Sequence, residues 1–248
     1  MVTQHSRRNG IVTRRGRFLV RVLSPRYGSL AMVASMTDTA RLFAAGAAGY
    51  AIGNFPSADL AARVAGADLR SEGTSNPGAM NASHVLGKKW GLAVTAMDIG
   101  KGALAARVGG RLAGPAGANL ASSAAVSGHC FPFGRTGGKG VAASIGQVVG
   151  TFPSYLPVDI GVAIATSALP FFRQRTRVAT MVASATWIGC SLAWWRRGMS
   201  NPGGVTPTVS LPLAALASSA LIALRFATEV DKVDAFNGTA VANTEAAA

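Results

Sequence analysis

A chain of 248 residues that is 49% hydrophobic but only 14% charged avoids charge over long stretches, which argues against an ordinary soluble core. Its 24 Lys and Arg against 10 Asp and Glu, a net +14, suit either nucleic-acid binding or the cytoplasmic loops of a membrane protein, and because the bases lie between apolar spans the second reading holds and no nucleic-acid partner is expected. Two cysteines, Cys130 and Cys190, both in apolar segments, and three scattered histidines, His5, His84 and His129, offer neither a disulfide framework nor metal-ligand spacing, so neither a metal nor any other cofactor is expected.

Residues 1–40 carry seven arginines and no acid before Asp38, with no apolar run long enough for a secretory signal, and read as a disordered basic tail. Met32 and Met36 offer later starts just before the first apolar span, so an over-long start or an idle tail is expected ahead of a contact with anionic lipid. Apolar spans then follow at 41–65, 90–112, 116–132, 139–152, 156–172, 177–196 and 208–226. Their small residues, mostly Ala, Val, Leu and Gly, let helices approach closely in lipid. The expected fold is all-α: a polytopic integral membrane bundle over 41–227 with seven transmembrane helices, or six if the segment around Pro153 and Pro157 is one kinked span. The connections at 66–89, 133–140 and 173–177 share one side and carry Arg70, Lys88, Lys89, Arg135, Lys139, Arg173, Arg175 and Arg177, which makes that side cytoplasmic. Arg111, Arg196, Arg197 and the basic tail fall on the other side, against the rule. Residues 228–248 hold four acids and read as a disordered polar tail.

Two loops and one span carry the chemistry. The first loop, from Asp68 to Asn81, mixes glycines, hydroxyls and amides that turn backbone N–H groups toward one point, as an anionic oxygen ligand requires, although an ordinary turn-rich loop has the same composition. The second, from Gly128 to Ala142, clusters glycines around Lys139 where a new helix opens, so that backbone donors, the positive helix end and an ammonium group converge into a phosphate cradle. It is not a Walker A loop, which needs Gly where Phe133 stands and Ser or Thr where Gly140 stands. Asp98 and Lys101, three apart within the second span, share a helix face; a functional site or a structural pair accounts for them equally.

In order and in most spacings, Gly53-Asn54-Phe55-Pro56, Asp68-Leu69-Arg70, GTSNPGAMN, LGKKWG, DIGKG from Asp98, GHCFP and GGKGVA resemble the PlsY family of bacterial acyl-phosphate:glycerol-3-phosphate acyltransferases. The resemblance spans roughly 45–226 and is sharp from 53 to 143. It implies transfer of a fatty acyl group from acyl phosphate to the 1-position of glycerol 3-phosphate, giving lysophosphatidic acid for phospholipid biosynthesis. The enzyme would sit in the bacterial plasma membrane with the glycine-rich loops in the cytoplasm; the lipid bilayer is its surrounding and no protein partner is implied. An acyl phosphate is already activated, so no nucleophilic Ser or Cys is required, and positioning two anions against cations and N–H donors supplies the catalysis.

Carried over position by position, the family's catalytic roles fall on Thr74 and His84, with His129 of the GH-x-FP element as a third candidate against a structural reading as a helix-end histidine. Substrate and phosphate binding fall on Arg70, Asn76, Asn81, Gly137, Gly138, Lys139 and Gly140. The departures are Thr74 for serine, Met80 for threonine, His84 for arginine, a linker two residues short before GGKG, and a last motif reduced to Arg225 and Thr228-Glu229. They support a second expectation, an impaired or re-purposed homologue that binds a phosphate-bearing lipid or metabolite. An unrelated transporter is the third.

Overall fold

The computed structural model describes residues 28–168 and 175–228. Most of the basic tail, Arg173 of the third basic connection and the polar C-terminal tail from Glu229 onward lie outside the described residues. Two units divide the chain, residues 1–37 and 38–248, and the first contributes only the opening turns of helix α1 to what is described.

Helix α1 runs Gly28–Gly53, so residues 28–40 are helical where a disordered tail was expected. The expected span 41–65 is not one helix either. Its apolar run continues through Asn54-Phe55-Pro56, but Pro56 has no N–H to donate and disfavours helical backbone at Phe55, so α1 stops. Helix α2, Ser57–Ala65, starts afresh and ends on Gly66 in the left-handed region (φ 72°), with Ala67 N–H returning to Ala62 O at 3.0 Å. Helix α3, Ala79–Val85, closes the first loop.

Helix α4, Lys88–Cys130, is a hairpin of two arms. Ala113 (φ −144°, ψ 31°) and Gly114 (φ 61°, ψ −153°) leave the helix, and Pro115 opens the second arm, where its missing N–H costs nothing. The arms, 88–112 and 115–130, match the expected spans 90–112 and 116–132 closely. They touch backbone to backbone, since a Cβ on Gly109 would strike Gly117 O. Helix α5, Val141–Thr151, lies on the first arm, Gly102 against Ala143 O and Gly146 against Ile99 O. A 3-10 turn, Pro153–Tyr155, joins it to α6, Leu156–Ala168, and the pair is bent by 115° at that break, the geometry of a broken span or a re-entrant turn.

Helices α7, Arg175–Arg197, and α8, Ser210–Thr228, are the two described helices individually long and apolar enough to cross a bilayer. Helix α8 joins the second arm through Asn119–Ser210 (2.9 Å) and Ser218–Ser123 (3.0 Å), and Ser218 also donates to Gln147 of α5 (2.7 Å). Val148, Phe152, Tyr155, Trp187 and Leu211 fill the space between α5, α7 and α8. Leu104, Leu120, Leu213 and Leu216 point outward, where lipid rather than water suits them. Among the described residues there is no strand, and the all-α expectation holds.

Because lipid tails are as apolar as the helices, the bundle relies on close packing. Gly49→Ala pushes a methyl into the backbone of Ala121 and should cost about 1–3 kcal/mol, read as a fall in the melting temperature of purified protein. Gly100→Ala, at a position where a Cβ meets nothing, should leave the melting temperature unchanged or raise it.

Candidate functional site

The two glycine-rich loops meet at one end of the bundle. Asn81, 2% exposed, is the frame of the first: its amide donates to Leu69 O (2.9 Å) and Glu72 O (3.0 Å), and its carbonyl accepts Thr74 N–H (2.9 Å). All its bonds therefore serve the loop. Gly73, at φ 62° against Asn81 Oδ1, has no room for a side chain. Asp68 accepts the backbone N–H of Arg70 (2.9 Å) and the Ser71 hydroxyl (3.0 Å), and these bonds, the backbone one foremost, hold its carboxyl below the usual carboxylate range.

The second loop is fastened from three directions. Tyr50 donates its hydroxyl to Phe131 O (2.8 Å), Asn54 accepts the Phe133 N–H (3.0 Å), and the Arg135 guanidinium donates to Asn54 O. Gly138 N–H returns to His129 O (3.1 Å). From α8, buried Arg225 donates to Gly138 O (3.1 Å) and Gly137 O (2.7 Å), with its guanidinium 5.7 Å from the Phe131 ring centroid. The glycines are needed for contact as much as for flexibility: a Cβ on Gly137 would strike the backbone of His129 and Cys130, and one on Gly140, at φ 85°, would strike Cys130 Sγ. Gly140 then caps α5, whose first-turn N–H groups lack intrahelical acceptors.

Arg70 ties the loops together. Its Nη1 reaches Thr136 O (3.1 Å) and Oγ1 (2.7 Å), and its Nη2 pairs with Asp59 of α2 (3.0 Å); Arg135 approaches the same carboxylate at 3.9 Å. Behind this mouth lies a cleft lined by Arg70, Arg135, His129, Lys101, Gly137 and Gly138, among others. Its volume is about 20 Å³, room for one water molecule. A larger cavity of about 580 Å³ at the far end of the second arm, beside Arg107 and Arg111, holds no candidate residue.

Of the expected residues, the cleft gathers Arg70, His129, Gly137 and Gly138. Thr74, Asn76 and His84 do not line it, and His84 is exposed on the last turn of α3. Lys139 stands 4.9 Å from the Phe226 ring centroid rather than in the cleft. Ser57, Asp59, Arg135 and Arg225 were missed as site residues. A guanidinium inside an apolar span was the available signal for Arg225; nothing in the sequence marked Ser57 or Asp59.

These features define an all-helical integral membrane protein with a cationic, glycine-walled cleft between two loops at one end. Residues 43–234 match the glycerol-3-phosphate acyltransferase family, and the chain belongs to it. The glycerol-3-phosphate acyltransferase of Maricaulis maris (strain MCS10) is 32% identical over 173 residues, which are 68% of this chain and 79% of that protein. That of Chlorobaculum parvum is 42% identical over 135 residues, 48% of this chain and 58% of the relative. The crystal structure of PlsY, an integral membrane glycerol 3-phosphate acyltransferase, in its glycerol 3-phosphate form superposes with a TM-score of 0.64 at 26% identity, over 77% of this chain and 91% of the other. Its lysophosphatidic acid form gives a TM-score of 0.62 at 25% identity. The resemblance to the PlsY family is thereby borne out.

Two outcomes follow from the loop geometry. Removing the Arg225 guanidinium (Arg225→Met) leaves two loop carbonyls without partners and should cost about 2–3 kcal/mol, with Lys recovering only part, measured by thermal denaturation. For Asp68 the folded pKa is lowered, so its stabilising bonds are present above the unfolded value and lost as pH falls through the folded one. Hydrogen-exchange protection of the first loop should hold unchanged from pH 7 to about 5 and decline only below about 4, and Asp68→Asn should remove that decline.

Proposed function

We propose that this chain transfers a fatty acyl group from acyl phosphate to the 1-hydroxyl of glycerol 3-phosphate, at the cytoplasmic face of a bacterial plasma membrane. The observation that carries the reading is the cleft in which Arg70 joins the two loops beside His129, in a chain similar to PlsY in its glycerol 3-phosphate form.

In this reading the phosphate of glycerol 3-phosphate takes over the Arg70 and Arg135 contacts that Asp59 and Thr136 now occupy, and the cleft opens as it does so. The glycerol 1-oxygen attacks the acyl carbonyl carbon and forms the ester. The bond from that carbon to the phosphate oxygen breaks, and inorganic phosphate leaves with the electron pair. The hydroxyl proton leaves with the released phosphate, as mass balance requires. Backbone donors around Gly137 and Gly138 and the α5 N-terminus supply the field for the leaving phosphate. Asn81 contributes as the frame of the first loop, and neither Thr74 nor His84 has a step, since neither lines the cleft. Binding without transfer is the second reading, favoured by Met80 and by the last motif's lack of His and Asn.

Purified protein in liposomes, given palmitoyl phosphate and labelled glycerol 3-phosphate, should form lysophosphatidic acid and release phosphate. No product above empty liposomes, with saturable substrate binding, would establish the second reading; product from palmitoyl-CoA alone would overturn the donor. Arg70→Ala should raise KM for glycerol 3-phosphate roughly 10- to 100-fold, as expected for charge-assisted bonds of about 1.5–3 kcal/mol. Asp59→Asn removes the carboxylate that competes for the arginines and should lower that KM a few-fold, which Michaelis–Menten kinetics at fixed donor will reveal.

A further inference from the structure

The cavity of about 580 Å³ lies at the end of the α4 hairpin away from the two loops, and the transfer reaction gives it no part. Arg107 and Arg111 stand one turn apart on the first arm and both line it. No Asp or Glu is among the described residues of its wall, and neither arginine has an ion pair or hydrogen bond among the described residues. The guanidinium groups at the loop end are placed differently: Arg70 pairs with Asp59, and Arg225 is answered by two carbonyls.

The rest of the wall is firmly built. Val149 and Gly150, near the end of α5, form one side of the cavity, and the connection between α7 and α8 forms another. Asn201 staples that connection to α5, donating to Thr151 O (2.8 Å) and to Val205 O (2.8 Å), while Val205 N–H returns to Thr151 O (3.2 Å). Gly204 has no room for a side chain, since a Cβ there would strike Asn201 Nδ2 and Pro153 Cδ. Gly203 lies in the left-handed region at φ 78°. This wall therefore offers backbone and the Thr206 hydroxyl to a ligand, with no bulky side chain in the way.

Depth identifies the ligand's chemistry. The first arm, from 88 to 112, is about 37 Å long at about 1.5 Å per residue, against a hydrocarbon core of about 30 Å. Arg107 lies about 9 Å short of the break at Ala113, so the two arginines sit at the level of lipid headgroups on the face away from the loops. Two unanswered guanidinium groups one turn apart repel each other and are costly near hydrocarbon; an anion between them removes both costs. Guanidinium forks match phosphate oxygens in particular. Ala103, Ala106 and Val149 make the remaining sides apolar, and Val149 and Leu104, one on the cavity wall and one nearer mid-membrane than the arginines, are exposed. A free phosphate would leave those surfaces unmatched, whereas a phospholipid uses the cations and the apolar sides together.

We propose that this cavity binds the phosphate of an anionic glycerophospholipid in the leaflet away from the loops, with Arg107 and Arg111 on the phosphate oxygens and the acyl chains running inward past Leu104. The site is separate from the acyl-transfer cleft, and its occupancy requires no turnover.

Titration of purified full-length protein in neutral detergent tests it, with melting temperature as the readout. Dioleoylphosphatidylglycerol should raise the melting temperature saturably, and dioleoylphosphatidylcholine, with the same chains, should need at least about 10-fold more for the same rise. Arg107→Gln with Arg111→Gln should weaken the apparent affinity for phosphatidylglycerol about 10- to 100-fold, while the lipid-free melting temperature stays at or above wild type because no partner is lost. Lysine at both positions keeps the charge without the fork and should recover only part of the affinity. The wild-type comparison of the two lipids stands even without a variant. Equal affinity for both lipids, no response to either, or an unchanged response in the glutamine pair would overturn the proposal. Inorganic phosphate giving the same saturable rise, lost in the glutamine pair, while phosphatidylglycerol gives none, would overturn the lipid and leave a site for a free anion.

Discussion

The second arm of α4 is approached backbone to backbone from more than one side, and the rest of the architecture depends on that closeness. Gly49 and Gly53 of α1 sit on the backbone of Ala121 and Ala125, Gly128 sits on Tyr50, and Gly117 faces Gly109 across the hairpin. In lipid no hydrophobic force draws one helix to another, so dispersion at short range and hydrogen bonds between helices must act instead. Ser123 and Asn119 supply such bonds toward α8. The arm so held ends in His129 and Cys130, the surface against which Gly137, Gly138 and Gly140 pack. The glycines of the GGKG loop are therefore the continuation of a packing rule that begins within the membrane, and the loop's shape follows from the helix beneath it.

Charge is placed just as closely. Arg225 rises from α8 and directs two donors to the carbonyls of Gly137 and Gly138, so a buried guanidinium and a glycine loop satisfy each other. Arg70 crosses from the first loop to the second, and Asp59 answers both Arg70 and Arg135 at the mouth. The loops thus share one electrostatic unit although 66 residues separate Arg70 from Thr136. An anion entering this mouth meets cations already gathered and loosely answered, which is the preorganisation that positional catalysis needs.

How much of this was legible in the sequence varies by element. The arms of the hairpin fall where the apolar windows placed them, because Gly114 and Pro115 break the helix between those windows. The 41–65 window failed because hydropathy cannot see that Pro56 ends a helix inside an apolar stretch; α2 is amphipathic, with Asp59 and Arg63 on a helix of its own. Asp98 and Lys101 were visible as a same-face pair at membrane depth, but their convergence with Ser57 and His129 requires three segments folded together. Motif matching carried Arg70, Gly137 and Gly138 to the cleft, yet it gave Asn81 a ligand role that its own hydrogen bonds already fill within the loop. A motif preserves a residue without saying whether the substrate or the backbone is what it binds.

The central claim is that the two loops act as one site. Hydrogen exchange of the full chain in liposomes, with and without saturating glycerol 3-phosphate, tests it most directly. The account predicts that ligand slows exchange in residues 68–76 and 134–140 together, with the same concentration dependence. Protection confined to one loop, or absent from both while ligand binds, would contradict it.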